Sequence, residues 1–270
     1  MVEVIDKIRN LRDAGEFVQA EELALASIEG IVSLCGENSL EMAALWNELG
    51  IIGKYSGEFS EAEEYYQKAL CIHESRGEAL SANIASVLHN LAGLEHARGA
   101  PESAVEIALQ GIDVRLKVEA ADSVSLLEDL AAFVAILIDL DNFREARIIA
   151  DAILWRYREI YGDCHIEVAT ALHNLGSLQY REGNFVDAAS TLRDSMEMKS
   201  CLLGGRHPDL AITMYNLARC EEKRGESETA VSLCRNAASI LEGVVSSDHP
   251  VLVACQQLAY QLMRASRIGA

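Results

Sequence analysis

Apolar and polar residues alternate along this chain with the spacing of amphipathic helices. Val4, Ile8 and Leu11 share one helical face, and Gly15 interrupts the pattern before a second apolar stretch begins at Phe17. This order recurs to the end of the chain. The pattern predicts first helices near 40–55, 81–98, 123–140, 166–181 and 209–224, second helices near 17–35, 60–75, 101–118, 143–161, 185–203 and 228–245, and a last helix near 251–265.

A step of 42 residues brings the chain into register with itself. The step aligns a glycine or aspartate with an alanine five residues later in every repeat: Gly15, Gly57, Gly99, Asp141, Gly183 and Gly225, followed by Ala20, Ala62, Ala104, Ala146, Ala188 and Ala230. Glycine ends a helix in the left-handed conformation at no steric cost, and aspartate tolerates that conformation better than most residues. The alanine indicates a point where two helices approach closely.

The second repeat carries a recognisable motif. Its first helix reads Trp46-x-x-Leu49-Gly50, and its second helix places Ala62, Tyr66 and Ala69 at spacings of four and three residues. This arrangement resembles the tetratricopeptide (TPR) repeat, a helix-turn-helix unit. Ordinary TPR units repeat every 34 residues, and the step of 42 residues, with the segments 172–176 and 204–211, is similar to the long repeats of kinesin light chains and many bacterial TPR proteins.

The resemblance implies an all-α fold, a right-handed α-solenoid (superhelix) of six TPR-like helical hairpins plus a C-terminal capping helix. The hairpins are expected at about 1–38, 39–80, 81–122, 123–164, 165–206 and 207–248, with the capping helix at 249–266. Because the register has no phase break, we expect one solenoid domain over residues 1–270.

The resemblance also implies a binding site on the concave face, which the first helix of each TPR unit lines. Positions are counted from residue 1 in steps of 42. An asparagine at position six holds the backbone of an extended peptide in peptide-binding TPR domains, and its amide can both donate and accept hydrogen bonds. The candidate peptide-binding residues are therefore Asn90, Asn174 and Asn216, together with His89, His173, Tyr180, Arg181, Tyr215, Arg219 and Lys223 at neighbouring inner positions. The alternative is that each asparagine only bonds to the adjacent repeat.

Charge indicates the kind of ligand. The formal net charge of -19 disfavours nucleic acid and anionic membranes as partners. The inner positions two, five, nine, twelve and thirteen carry six basic residues (Arg9, Arg12, Lys54, Arg181, Arg219 and Lys223) and four acidic ones (Asp13, Glu128, Asp139 and Glu222), whereas the other residues include 17 basic and 38 acidic. This difference favours a ligand with acidic groups or a free carboxylate, unless inner helices simply carry fewer acids.

Catalytic and metal-binding chemistry finds little support. His89 and His96 would lie about 10.5 Å apart along a helix, and His89 and His173 lie two repeats apart, so neither pair can share a zinc ion. No common catalytic motif occurs, and no base with an orienting partner is evident. We expect neither enzyme activity nor a cofactor nor a metal.

Cellular location follows from cysteine usage and the N-terminus. The seven cysteines form no C-x-x-C pair, and apolar neighbours predict that most fill the core in a reducing compartment. The apolar helix near 123–140 has an uncharged centre of only nine residues, 130–138, and is expected to be buried rather than to span a membrane. Without a signal-peptide pattern at the N-terminus, we expect a cytoplasmic protein.

These observations predict a protein-interaction module that binds an extended peptide or partner segment in its concave groove. One alternative is a receptor or atypical enzyme for a small anionic molecule, held by Tyr180, Arg181, Tyr215 and Arg219. The other is a scaffold that binds partners or itself through its outer helices.

Overall fold

The computed structural model describes residues 2–77, 80–121 and 123–268, which contain thirteen α-helices and no β-strand. The helices are α1 Val2–Asp13, α2 Phe17–Cys35, α3 Leu40–Ser56, α4 Phe59–Ser75, α5 Ala82–Ala97, α6 Pro101–Val118, α7 Val124–Asp139, α8 Phe143–Tyr161, α9 Ile166–Arg181, α10 Phe185–Leu203, α11 Pro208–Lys223, α12 Ser227–Leu241 and α13 Pro250–Ile268. Every predicted helix is present. Only α12 is clearly shorter than predicted, because the chain turns at Gly243, whose φ is 82°.

The two signature positions of the repeat have the predicted conformation and burial. The residue at position 15 has a positive φ in all six repeats, including 58° at Asp141, the only such non-glycine residue among those described. The alanine at position 20 has no exposed surface in any repeat. The left-handed residue therefore ends each inner helix, and the alanine marks tight packing of the outer helix that follows.

The inner helices begin with side-chain caps that obey the same 42-residue step. Ser39, Ser81 and Ser123 accept the backbone N–H groups of Met42, Ile84 and Leu126 at 3.2 to 3.3 Å. In the later repeats His165, His207 and His249 replace the serines, and each Nδ1 accepts a backbone N–H two residues on, at 3.2 to 3.3 Å. A cap of this kind satisfies a donor that would otherwise lack a partner at the helix start.

The chain divides into two compact units, Met1–Ile136 and Leu137–Ala270. In the first unit α3 packs against α1, α2, α4 and α5. The core between α4 and α5 contains Ala62, Tyr66 and Ala69 facing Val87, Leu91 and Leu94. A Cβ on Gly50 would lie 2.5 Å from the Tyr66 ring, which explains the Leu-Gly pair of the motif.

The second unit contains α8 to α13. Its α11 packs against α10 and α12, and α13 packs against α12 and also contacts α11. One core cluster joins α10 and α11, and another joins α11, α12 and α13 around Cys234, Leu252 and Leu258. The expectation of a single domain over the whole chain stays a prediction.

The prediction that the cysteines mostly fill the core is wrong for four of the seven. Cys220, Cys234 and Cys255 are buried, whereas Cys35, Cys71, Cys164 and Cys201 are exposed. Cys71 shows the reason: its apolar sequence neighbours Leu70 and Ile72 point to other sides of α4, because adjacent residues do not share a helix face. In the described part of the chain, no helix is long and apolar enough to cross a bilayer, and no His, Cys, Asp or Glu cluster could hold a metal ion.

Candidate binding site on α9 and α11

Polar side chains of α9 and α11 meet directly in the second unit. The Asn216 amide nitrogen lies 3.3 Å from His173 Nε2 and donates to Ser177 Oγ at 3.2 Å. These contacts join two inner helices across one repeat. His173, Ser177 and Asn216 therefore lie on one surface, and we call the side shared by these helices the α9–α11 face.

The hydrogen-bond network fixes the state of His173. Thr213 uses its hydroxyl hydrogen on the Asp209 carbonyl at 3.0 Å, so its oxygen accepts from His173 Nδ1, also at 3.0 Å. The Nε2 atom is then unprotonated and accepts from Asn216. Burial, with a smaller effect of Lys199, lowers the pKa of His173 to about 3. His173 is therefore a neutral positioning group.

Arg219 is a cation of this face that two tyrosine rings hold in place. Its guanidinium carbon lies 4.4 Å from the ring centroid of Tyr180 and 5.9 Å from that of Tyr215. Within the described residues Arg219 forms no ion pair, so its N–H groups are available to a ligand. Burial raises the pKa of Tyr215, although the nearby Arg219 opposes this effect. The site thus offers a neutral phenol and a cation that stacking holds in place.

Arg181 and Lys223 differ from Arg219. Arg181 forms ion pairs with Asp139 at 2.9 Å and with Asp141 at 2.5 Å, and its guanidinium lies 5.9 Å from the Phe143 ring centroid. Its charge is thus already balanced by two carboxylates. Lys223 is exposed one helical turn after Arg219 and extends the positive region along α11.

The three position-six asparagines have different environments. Asn174 is buried, with 8% of its surface exposed. Asn90 donates to Asn47 Oδ1 at 2.9 Å, and Asn216 uses its amide hydrogens on α9, so both bond to the adjacent repeat as the alternative interpretation expected. Only the Oδ1 atom of Asn216 then remains to accept a peptide N–H. Asn216 would therefore hold a peptide backbone through that single hydrogen bond.

His89 lies in the first unit, where an acid orients it. Its Nδ1 is 2.9 Å from Asp129 Oδ1, and 31% of its side-chain surface is exposed. Arg115, itself 3% exposed, binds the other Asp129 oxygen at 2.9 Å. Burial would raise the pKa of Asp129, but hydrogen bonds from His89 and Arg115 outweigh it and lower that pKa. The expectation that no base has an orienting partner is therefore wrong for His89.

A buried acid neutralises two inner cations of the first unit. Glu48 occupies position six, where three of the other repeats have asparagine, and only 2% of its surface is exposed. It binds Arg9 at 2.8 Å and also pairs with Arg12. These two arginines therefore add little to the attraction of an acidic ligand. Glu48 is a hydrogen-bonding residue of the repeat that the family pattern did not predict.

The inner side of α13 was not predicted from the sequence either. A step of 41 residues, rather than 42, aligns the buried pair Leu258 and Ala259 with Leu217 and Ala218 of α11. The same step places Gln257 at the position of Asn216, Tyr260 at that of Arg219 and Arg264 at that of Lys223. All three are exposed. The helix predicted as a cap thus has the residue pattern of a seventh inner helix.

Paired helices, left-handed turns, buried alanines and polar inner faces define a helical-repeat binding protein. The tetratricopeptide repeat family matches residues 41–117 and 128–200, more than half of the chain. The protein therefore belongs to the tetratricopeptide repeat family. Members of this family generally mediate protein–protein interactions.

Solved structures share the fold. A Rap protein complexed with Competence and Sporulation Factor has 15% identity and a TM-score of 0.64, over 97% of this chain and 87% of that chain. BtubC (BKLC) from P. vanneervenii has 19% identity and a TM-score of 0.54, over 85% and 89%. TPR-like repeats attributed to a kinesin light chain of Podosopora anserina have 19% identity and a TM-score of 0.50, over 72% and 92%.

At these identities the structural matches show the fold alone. They confirm the all-α solenoid class and the resemblance to kinesin light chains and other TPR proteins. No curated protein matches the chain by sequence.

Proposed function

We propose that the chain binds an extended, acidic peptide or partner segment on the α9–α11 face. The observation that carries this proposal is Arg219, which Tyr180 and Tyr215 hold beside Asn216 with no ion pair among the described residues. A carboxylate of the ligand would complete its charge, and Asn216 Oδ1 would accept a backbone N–H. The Rap neighbour, complexed with Competence and Sporulation Factor, supports ligand binding by this fold.

The remaining candidate residues have graded roles in this proposal. Lys223, and Arg264 on α13, would bind further acidic groups along the segment. Arg181 would exchange Asp139 or Asp141 for a ligand carboxylate, so its contribution is the smaller. Asn174 and His173 would hold the face in shape, whereas His89 and Asn90 would form a separate contact region in the first unit. The acidic chain makes nucleic acid and anionic membranes poor partners.

Selection from a random peptide library tests the proposal. We expect the selected peptides to be rich in Asp and Glu and to bind Arg219→Glu about tenfold more weakly, because one desolvated charge pair is replaced by repulsion. Arg206→Glu is the matched control, since this exposed arginine lies between α10 and α11 and its reversal changes net charge equally. Affinity that is unchanged in Arg219→Glu, or reduced equally in both variants, would overturn the site.

The same aromatic and cationic group favours one alternative ligand. A small planar carboxylate would fit beside Arg219 as well as a peptide carboxylate would. Native mass spectrometry of the protein purified from its own organism distinguishes the two, because a small anion would appear as a defined mass increment lost in Arg219→Glu. A scaffold role finds support elsewhere, in Ile148 and Trp155 of α8, which are 63% and 62% exposed two turns apart.

A further inference from the structure

A groove between α12 and α13 is open in the described part of the second unit. Its volume is about 360 Å³. The apolar lining consists of Val231, Leu262 and Met263, and the charged lining consists of Glu228 and Arg235. This groove does not include the residues of the α9–α11 face.

The preceding repeat shows what fills the equivalent place. There α10 and α11 form a cluster that includes Ala189, Leu192 and Leu217, and Leu233 of the following outer helix, α12, packs against it. In the last pair α12 takes the place of α10 and α13 takes the place of α11. The groove between α12 and α13 is therefore the place that the next outer helix of a solenoid would occupy.

The arginine at the α10–α11 site and the equivalent arginine in the α12–α13 groove have different partners. In the internal repeat Arg193 pairs at 2.6 Å with Glu221, which is 2% exposed. One repeat later the equivalent arginine, Arg235, contacts Met263 Sδ at 3.1 Å, and it forms no ion pair among the described residues. At the 41-residue step that aligns α13 with α11, Leu262 and Met263 stand at the positions of Glu221 and Glu222. The pair α12 and α13 thus has apolar surface where the pair α10 and α11 has the buried carboxylate of Glu221. Arg235 beside this surface has no carboxylate partner among the described residues.

We propose that this α12–α13 groove binds an amphipathic α-helix of a partner protein. The helix presents a leucine-sized side chain to Val231, Leu262 and Met263 and a carboxylate to Arg235. A helix is the fitting occupant because α12 itself packs as a helix in the internal equivalent, and its backbone groups are satisfied without help from the groove. Glu228 and Arg235 lie about 10.5 Å apart along α12, so an acid and a base on the ligand would fix its direction.

A pair of stapled helical peptides tests this proposal. Both have about 16 residues, enough for a stapled helix to form; they carry the same leucines, and one has Glu where the other has Lys. We expect the Glu peptide to bind at least about tenfold more tightly than the Lys peptide, with this preference reversed by Arg235→Glu. A photo-reactive leucine analogue in the Glu peptide should label α12 and α13.

Two control variants distinguish the groove from a general charge effect and from the α9–α11 face. Arg206→Glu changes net charge equally and should leave the preference intact, and Arg219→Glu should not alter helix binding even if it abolishes binding on the α9–α11 face. Equal affinity for both peptides, no detectable affinity, or labelling of α9 or α11 would overturn the proposal. Sedimentation velocity of the protein alone gives a further check. Self-association that Met263→Glu abolishes would also overturn the proposal, because the occupant of the groove would then be a second copy of this chain.

Discussion

Two glycines in the inner helices α5 and α9 have opposite packing requirements. A Cβ at Gly176 would lie 2.6 Å from Leu192 Cγ, whereas a Cβ at Gly93 would meet only Lys54 Nζ at 3.6 Å. Both glycines lie inside helices, where glycine costs backbone entropy relative to alanine. Gly176 is therefore kept by a close approach of α9 and α10, and Gly93 is not kept by packing.

We expect Gly176→Ala to lower the free energy of unfolding by about 1–3 kcal/mol, because Leu192 must move. Gly93→Ala should raise it by about 0.5–1 kcal/mol through the entropy of the unfolded chain. Urea denaturation followed by circular dichroism measures both. Changes of the same sign in the two variants would contradict this difference in packing.

Asp129 balances the buried cation Arg115 in the first unit. Asp129→Asn leaves the buried Arg115 without its main carboxylate and should lower stability by about 3 kcal/mol. Asp113→Asn breaks the exposed pair with Lys117 instead and should change stability by less than about 0.5 kcal/mol. Thermal denaturation of both variants at pH 7 compares them, and similar effects would refute a special role for the buried pair.

At this scale the sequence predicted backbone and steric requirements better than polar contacts. The left-handed turn at Asp141 and the buried alanines follow from what each residue type permits, so the 42-residue step identified them. The partners of Glu48 and Arg181 depend on which side chains of neighbouring repeats reach one another. Periodicity fixes helix positions but not that choice, so a count of inner charges overestimates the cations available to a ligand.

Among the elements, the starts of the inner helices divide into two chemical types. Serine hydroxyls cap α3, α5 and α7 at any ordinary pH, whereas histidine Nδ1 atoms cap α9, α11 and α13 only while unprotonated. Burial, opposed by Asp248, lowers the pKa of His249, as this cap requires. The two sets of helices should therefore respond differently to acid.

A cap exchange tests this difference. We expect His207→Ser to be near-neutral at pH 7 and to stabilise the protein relative to the wild type at pH 5 by about 1 kcal/mol, because a hydroxyl cap survives acid. Ser81→His should have the reverse effect and introduce acid sensitivity in the first unit. Melting temperatures at the two pH values give the comparison, and a pH-independent effect of His207→Ser would exclude the cap mechanism.

Helix boundaries were predicted well where a local residue type ends the helix and poorly where tertiary packing determines the boundary. Gly and Asp turns gave the ends of most inner helices. The inner character of α13 was missed because Leu258 and Ala259 match Leu217 and Ala218 only at a step of 41 residues, although His249 at the start of the helix still follows the 42-residue step. Only packing against α11 and α12 identifies that helix as part of the series.

Considered as a whole, the molecule concentrates its histidine caps and the neutral His173 in one of its two units. His173 has a pKa of about 3 in the folded second unit, and an unfolded histidine titrates near 6.5. Because the folded pKa is the lower one, this contribution is complete above about pH 6.5 and is lost as pH falls toward 3. Burial also lowers the pKa of the capping residue His249, which acts in the same direction, and the serine caps of the first unit do not titrate.

Hydrogen exchange at pH 7 and pH 5, corrected for intrinsic rates, tests this distribution. We expect amides of α9 to α13 to lose protection at pH 5 and amides of α3 to α5 to keep it, because α9, α11 and α13 begin with histidine caps whereas α3 and α5 begin with serine caps. His207→Ser should restore part of the protection in α11. Equal loss in both units would indicate a global acid effect instead.

Asp141 links the shape of a turn to the availability of a cation. It is the one described side chain in a left-handed turn that glycine occupies in every other repeat, and that same carboxylate holds Arg181. Glycine at this position would relax the backbone and leave Arg181 with Asp139 alone. A substitution that lowers backbone strain at residue 141 would thus also make Arg181 attract acidic groups more strongly. The residue at this turn and the ligand preference of the inner surface are therefore linked.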